Sequence, residues 1–205
     1  RRAAQMARPA PDGMRIALVE DGGIAILDAA GFERILHRSI DGLVEKLAWS
    51  PDGRRLGLLV AGAGADISGA EGGYALRREE SGDAWLPEVD SGDAADVWRR
   101  ILIWSPAEDR LEPNTAPPVN VWEFSWENDG ALLAVASDHH GEGSWYGSTL
   151  RRIDLSSGAV EALYRPNDQI ALPRSAPDGA ARIALIEAVC SDRGIVCGLL
   201  QLIEN

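Results

Sequence analysis

Short apolar runs, punctuated by clusters of Gly, Pro, Asp and Ser, recur along the whole chain, and the pattern predicts strands joined by tight turns. The clearest turn is Trp49-Ser50-Pro51-Asp52-Gly53, set between Leu47-Ala48-Trp49 and Leu56-Gly57-Leu58-Leu59-Val60. Proline presets φ near about −65°, the Asp carboxylate accepts a bond from the backbone ahead of it, and glycine takes the positive φ that other residues resist. Related stretches are Ala10-Pro11-Asp12-Gly13 before Ile16-Ala17-Leu18-Val19, Trp126-Glu127-Asn128-Asp129-Gly130 before Leu132-Leu133-Ala134-Val135, and Ala176-Pro177-Asp178-Gly179 before Ile183-Ala184-Leu185-Ile186. The chain is therefore built from repeats, each opening on a hairpin.

The first repeat, residues 8–38, adds Ile24-Ala25-Ile26-Leu27-Asp28 and Glu33-Arg34-Ile35-Leu36 to its hairpin, which is the strand content of one propeller blade. The second, residues 45–114, has the same hairpin but a delayed third strand. Asp12 to Asp52 is 40 residues, Asp52 to Asp129 is 77 and Asp129 to Asp178 is 49, whereas propeller repeats run to about 40 to 50. The excess falls in an insertion, residues 62–95, because Arg99-Arg100-Ile101-Leu102-Ile103 lines up with Arg151-Arg152-Ile153-Asp154-Leu155 as a third strand. That insertion is rich in Gly, Asp and Glu, carries Tyr74 and Trp85, and is expected to lie as a partly ordered loop against a neighbouring surface. The third repeat, residues 121–165, is the most complete, and the fourth, residues 171–205, stops as its third strand begins. The expected fold is all-β, a partial β-propeller of about four four-stranded blades with the last incomplete, part of a larger ring. Its uncovered final strand edge predicts self-association.

Composition narrows the function. Of 205 residues, 45% are hydrophobic, which excludes wholesale disorder, and the formal net charge of −12 argues against nucleic acid or anionic lipid as partners. No apolar run reaches the roughly 18 to 20 residues that span a bilayer, and the opening Arg1-Arg2-Ala3-Ala4-Gln5-Met6 lacks the apolar core of a secretion signal. The start at Arg1 and the stop within Leu200-Gln201-Leu202-Ile203-Glu204-Asn205 lead us to expect a chain cut from a longer one. Two cysteines, Cys190 and Cys197, are too few for a disulfide scaffold and suit a reducing, cytoplasmic setting.

No hydrolytic machinery is legible: there is no Gly-x-Ser-x-Gly elbow, and His37, His139 and His140 leave little choice of general base. His139 and His140 beside Asp138 and Glu142 make a poor metal site, because adjacent residues of an extended chain point to opposite sides. No cofactor and no metal is expected. Each Asp-Gly turn offers one carboxylate where calcium wants six to eight oxygens. Trp49 and Trp126, at the ends of first strands, are read as filling the gap between blades. An up-and-down blade puts every connection between second and third strands on one face, opposite the Asp-Gly turns. That face gathers the candidate substrate or domain-interface residues Asp138, His139, Glu142, Trp145, Tyr146, Asp192 and Arg193, together with His140. Arg193 can grip a carboxylate through two parallel hydrogen bonds, the rival reading being a local pair with Asp192 or a solvated side chain.

With the repeats in place, the sequence resembles the N-terminal β-propeller of the prolyl oligopeptidase family of serine peptidases, on the acylaminoacyl peptidase and dipeptidyl aminopeptidase branch. The resemblance rests on residues 47–56, on Ala136-Ser137-Asp138-His139-His140-Gly141-Glu142-Gly143-Ser144-Trp145-Tyr146, and on Pro177-Asp178-Gly179 followed by Arg182–Glu187 and Ser191-Asp192-Arg193-Gly194. It implies a propeller that covers the active site of a C-terminal α/β-hydrolase domain and admits only short peptides. The catalytic positions of that family do not occur in this chain. The Pro-Asp-Gly hairpins also look like those of TolB-type propellers, which implies the alternative of a free-standing propeller binding a protein or peptide. Departures are Ala10 and Ala176 where Ser is usual, Glu127-Asn128 for Ser-Pro, and Ala180-Ala181 lengthening the last turn.

Overall fold

The computed structural model describes residues 4–20, 22–62, 65, 97–116, 118–190, 193–195 and 197–204. Nearly all of the insertion 62–95, with Tyr74 and Trp85, lies outside the described residues, as does Asp192. The first sheet holds β1 (Ala4–Pro9), β2 (Arg15–Glu20), β3 (Gly23–Asp28) and β4 (Arg34–Ser39), and the second holds β5 (Leu43–Trp49), β6 (Leu56–Ala61), β7 (Arg99–Ser105) and β8 (Arg110–Pro113). The third holds β9 (Asn120–Asn128), β10 (Ala131–Ser137), β11 (Thr149–Asp154) and β12 (Val160–Tyr164), and the fourth β13 (Gln169–Ser175), β14 (Arg182–Ala188) and β15 (Leu199–Glu204). Within each sheet the strands pair antiparallel in chain order. These are blades of a β-propeller, the fourth with three strands among the described residues.

The turn chemistry explains the hairpins residue by residue. In three turns the glycine N–H donates to the residue before proline: Gly13 to Ala10 at 2.9 Å, Gly53 to Ser50 at 2.9 Å and Gly179 to Ala176 at 3.3 Å. The three glycines stand at φ of 70°, 69° and 75°, and each Asp carboxylate takes the N–H two residues ahead, from Met14, Arg54 and Ala180. Alanine in place of serine at positions 10 and 176 leaves this geometry intact. The third blade differs: Asn128 pairs directly with Ala131 around a two-residue Asp129-Gly130 loop.

The core lies between the blades. Along β10, Leu132, Ala134 and Ala136 pack toward the second blade with Leu59, Ile101 and Phe124, whereas Leu133 and Val135 pack toward the fourth with Ile170, Ile183 and Leu185. Successive side chains point to opposite faces, so a strand sandwiched between two blades is apolar throughout, and β6 and β10 are buried along their whole length. Each large side chain so buried contributes roughly 1.5 to 3 kcal/mol. The fourth strands β4, β8 and β12 are mostly exposed and form the rim.

Tryptophans stitch neighbouring blades at equivalent positions. Trp49 Nε1–H donates to the Arg8 carbonyl of the first blade at 3.0 Å, and Trp126 Nε1–H donates to the Ala48 carbonyl of the second, also at 3.0 Å. From the preceding blade an arginine lies over each ring, Arg15 at 4.8 Å from the Trp49 centroid and Arg55 at 5.6 Å from that of Trp126. No helix among the described residues is long and apolar enough to cross a membrane.

Candidate functional site

The face opposite the Pro-Asp-Gly turns carries a buried ionic cluster drawn from three blades. Glu45, near the start of β5, accepts from Arg99, the first residue of β7: Nε lies 2.9 Å from Oε2 and 3.2 Å from Oε1, and Nη2 lies 3.1 Å from Oε1. Arg193, in the loop between β14 and β15, reaches the same carboxylate, its Nη2 3.4 Å from Oε2. Between them stands Trp122 of β9, whose ring centroid is 4.9 Å from the Arg99 guanidinium carbon and 5.0 Å from that of Arg193. Arg193 thus spans the third blade to pair with the second.

Local structure accounts for this placement. A bulge between Val44 and Lys46 interrupts the pairing of β5 with β6 beside Glu45, and bulges re-aim side chains. Asn120 Oδ1 accepts the Arg99 backbone N–H at 2.7 Å, and Trp122 Nε1–H donates to Ser137 Oγ at 2.8 Å. The side chains of Glu45, Arg99 and Arg193 are 2%, 1% and 7% exposed, so the charges interact with little water between them. Burial, followed by the neighbouring Arg99 charge, draws the Arg193 pKa below the usual guanidinium value, while Glu45 opposes the shift. Charge this deeply buried adds little net stability, yet removing one partner is expensive. Both oxygens of Glu45 accept from arginine, so the cluster ties β5 and β7 to Arg193 of the fourth blade.

The residues singled out in the sequence do not converge on one point. Asp138 is an exposed side chain paired with Arg151 at 2.8 Å. His139 is exposed, and its carbonyl accepts from the hydroxyls of Ser137 and Ser144. His140 stands edge-on to Trp98, with centroids 5.1 Å apart, where the residue before β7 meets the third blade's loop. Glu142 begins a short 3-10 helix, Glu142–Gly147, in which Trp145 is buried in the core between the third and fourth blades and Tyr146 is exposed. Arg193 is neither solvated nor confined to a local pair, since it sits on Glu45 and Trp122.

Glu45, Arg99 and Trp122 were not singled out by the sequence, and for Arg99 a register difference explains why. Matching Arg99-Arg100 with Arg151-Arg152 correctly makes both segments third strands, but the pairing sets them three residues apart. Leu56, opposite Trp49, pairs with Trp104, whereas Leu132, opposite Trp126, pairs with Ile153. An odd shift moves a side chain to the other face of its sheet. Arg99 consequently turns toward Trp122 while Arg151 turns to the rim. The available signal was Glu45, a carboxylate between the apolar pairs Leu43-Val44 and Leu47-Ala48 whose one polar companion in β5 is Lys46.

The glutamate ending β14 is structural. Glu187 accepts from the Tyr164 hydroxyl at 2.8 Å and from the N–H groups of Asn167 and Asp168 at 2.8 and 3.0 Å. Burial works against its charge, but these bonds outweigh it and hold its carboxyl below the usual range. Neither Cys190 nor Cys197 is in a disulfide.

No family model and no curated protein sequence matches the chain. Among solved structures it is similar to TolB from Acinetobacter baumannii, at 16% identity and a TM-score of 0.56, over 98% of this chain and 43% of TolB. It is similar also to the β-propeller domain of Cps50 (Swd1) from Myceliophteria thermophila, at 12% identity and 0.57, over 91% of this chain and 51% of that one. Hydrazine synthase from Kuenenia stuttgartiensis is a further match, at 14% identity and 0.55, covering 98% and 51%. The chain spans about half the length of these structures. At such identities the likeness is one of fold, and that fold is the β-propeller.

Proposed function

We propose that this propeller portion is a non-catalytic cover, which docks the face bearing Arg193 against the α/β-hydrolase domain of a serine peptidase and limits entry to short peptides. The supporting observation is the placement of Arg193, which belongs to the most specific part of the family resemblance. Arg193 is drawn across a neighbouring blade onto Glu45 and Trp122, and a preorganised side chain of this kind favours docking. The partners in this reading are the hydrolase domain and short peptides.

The test is active-site labelling of the full-length gene product with a fluorophosphonate, followed by mapping of the labelled serine. The reading expects one labelled serine in the same polypeptide, outside this chain, and cleavage of short acyl-peptides in preference to long ones. A full-length product that takes no label overturns it and leaves a free-standing propeller that binds a protein or peptide.

A further inference from the structure

We propose that a cleft on the outer part of the third blade binds a carboxylate attached to an apolar group, such as the C-terminal residue of a peptide. The cleft is about 480 Å³, within the usual range for small-ligand sites, and shares no lining residue with the Glu45 cluster. Val119, Val160, Ala162 and Leu163 supply its apolar wall, and Arg151, Arg165 and Asp138 its charged groups.

The polar groups of the cleft are arranged for an anion. Arg151 is 13% exposed and held from two sides, with Nε donating to Thr149 Oγ1 at 3.0 Å and Nη1 to Asp138 Oδ1 at 2.8 Å. Its Nη2 takes no protein acceptor among the described residues. Arg165, exposed at the mouth, has no hydrogen-bond or ion-pair acceptor for its guanidinium among the described residues. Guanidinium groups recognise carboxylates through paired N–H donors, and a preoriented one loses little freedom on doing so. Asp138, with a 68% exposed side chain, is the one carboxylate lining the cleft among the described residues and shares it with two cations, in a chain whose formal net charge is −12. Local positive charge against that background, beside an apolar wall, selects a ligand that is anionic at one end and apolar at the other.

The probes are a fluorescein-labelled tripeptide ending in Ala-Leu with a free carboxylate, its C-terminal amide, and N-acetyl-leucine as competitor, read by fluorescence anisotropy at low salt. We expect the acid to bind at least about tenfold more tightly than the amide, Arg165→Met and Arg151→Met each to weaken it at least about tenfold, and Arg182→Met, on the opposite face, to leave it unchanged. Arg165 is exposed, so its variant keeps the test valid if Arg151→Met fails to fold. Competition by N-acetyl-leucine at the peptide's own affinity identifies a small carboxylic acid as the natural source, and markedly weaker competition identifies a peptide end. Equal binding of acid and amide, no binding of either at millimolar concentration, or wild-type affinity in Arg165→Met overturns the proposal.

Discussion

Trp126 donates its indole N–H to the backbone carbonyl of Ala48 in the preceding blade, 3.0 Å away, and Trp49 repeats the contact one blade earlier with Arg8. The bond joins the ends of two first strands near the propeller axis, while Arg55 lies against the Trp126 ring. Trp126→Phe keeps an aromatic ring but removes the donor from the Ala48 carbonyl. We expect a loss of about 1 to 2 kcal/mol in urea unfolding. A loss below about 0.3 kcal/mol would show that the contact holds nothing.

Glu45 is a carboxylate that both Arg99 and Arg193 reach. Glu45→Gln leaves two buried guanidinium groups short of their counter-charge, and such losses run to about 3 to 5 kcal/mol. Arg193→Met, which leaves the closer Glu45–Arg99 pair in place, is expected to cost less. Equal effects of the two variants on the urea midpoint would contradict this ordering.

Gly57 lies in β6 where the second and third blades approach closely. A Cβ there would stand 2.8 Å from Phe124 Cε2 and 3.1 Å from its Cζ, and Phe124 is fully buried with no room to move. Gly57→Ala should therefore destabilise by about 1 to 3 kcal/mol despite removing a strand glycine, and Gly57→Ala with Phe124→Leu should recover part of the loss. A lower melting temperature for the double variant than for Gly57→Ala would argue against a steric cause.

Asp154, the last residue of β11, has a carboxyl lowered to about 2, chiefly by the Ser156 hydroxyl, then by the N–H and hydroxyl of Ser157. Its folded-state pKa lies below its unfolded value, so the unfolded chain binds more protons as the solution becomes acid. Its contribution is complete above the unfolded-state pKa of about 4 and fades as pH falls toward 2. The melting temperature of the wild type should drop more steeply across that window than that of Asp154→Asn. Parallel curves would remove Asp154 from the account.

On β15, Leu200 and Leu202 point the same way and are 65% and 74% exposed. An apolar edge strand recruits further strands. The 205-residue chain should self-associate with rising concentration in sedimentation velocity, and Leu202→Lys should reduce the effect. A wild-type chain that stays monomeric at high concentration would refute the first statement.

The hairpins, the repeat and the fold class were legible in the sequence because their causes are local. Pro51-Asp52-Gly53 closes its turn through its own ring, carboxylate and positive φ, and the same three residue types do so at Pro11 and Pro177. The places of Trp49 and Trp126 between blades were legible too, since a large aromatic ending an apolar strand has few other places to go.

The tertiary structure alone decided which charged residues meet. Arg99 and Arg151 occupy matching places in similar sequences, yet a three-residue difference in register sends one into the buried cluster and the other to the rim. Arg193 and Glu45 stand 148 residues apart, and nothing near either one in the chain encodes the other. Their meeting depends on the angle at which successive blades stack around the axis. That angle is a sum over packing contacts of whole sheets, whereas a turn is decided by the few residues within it.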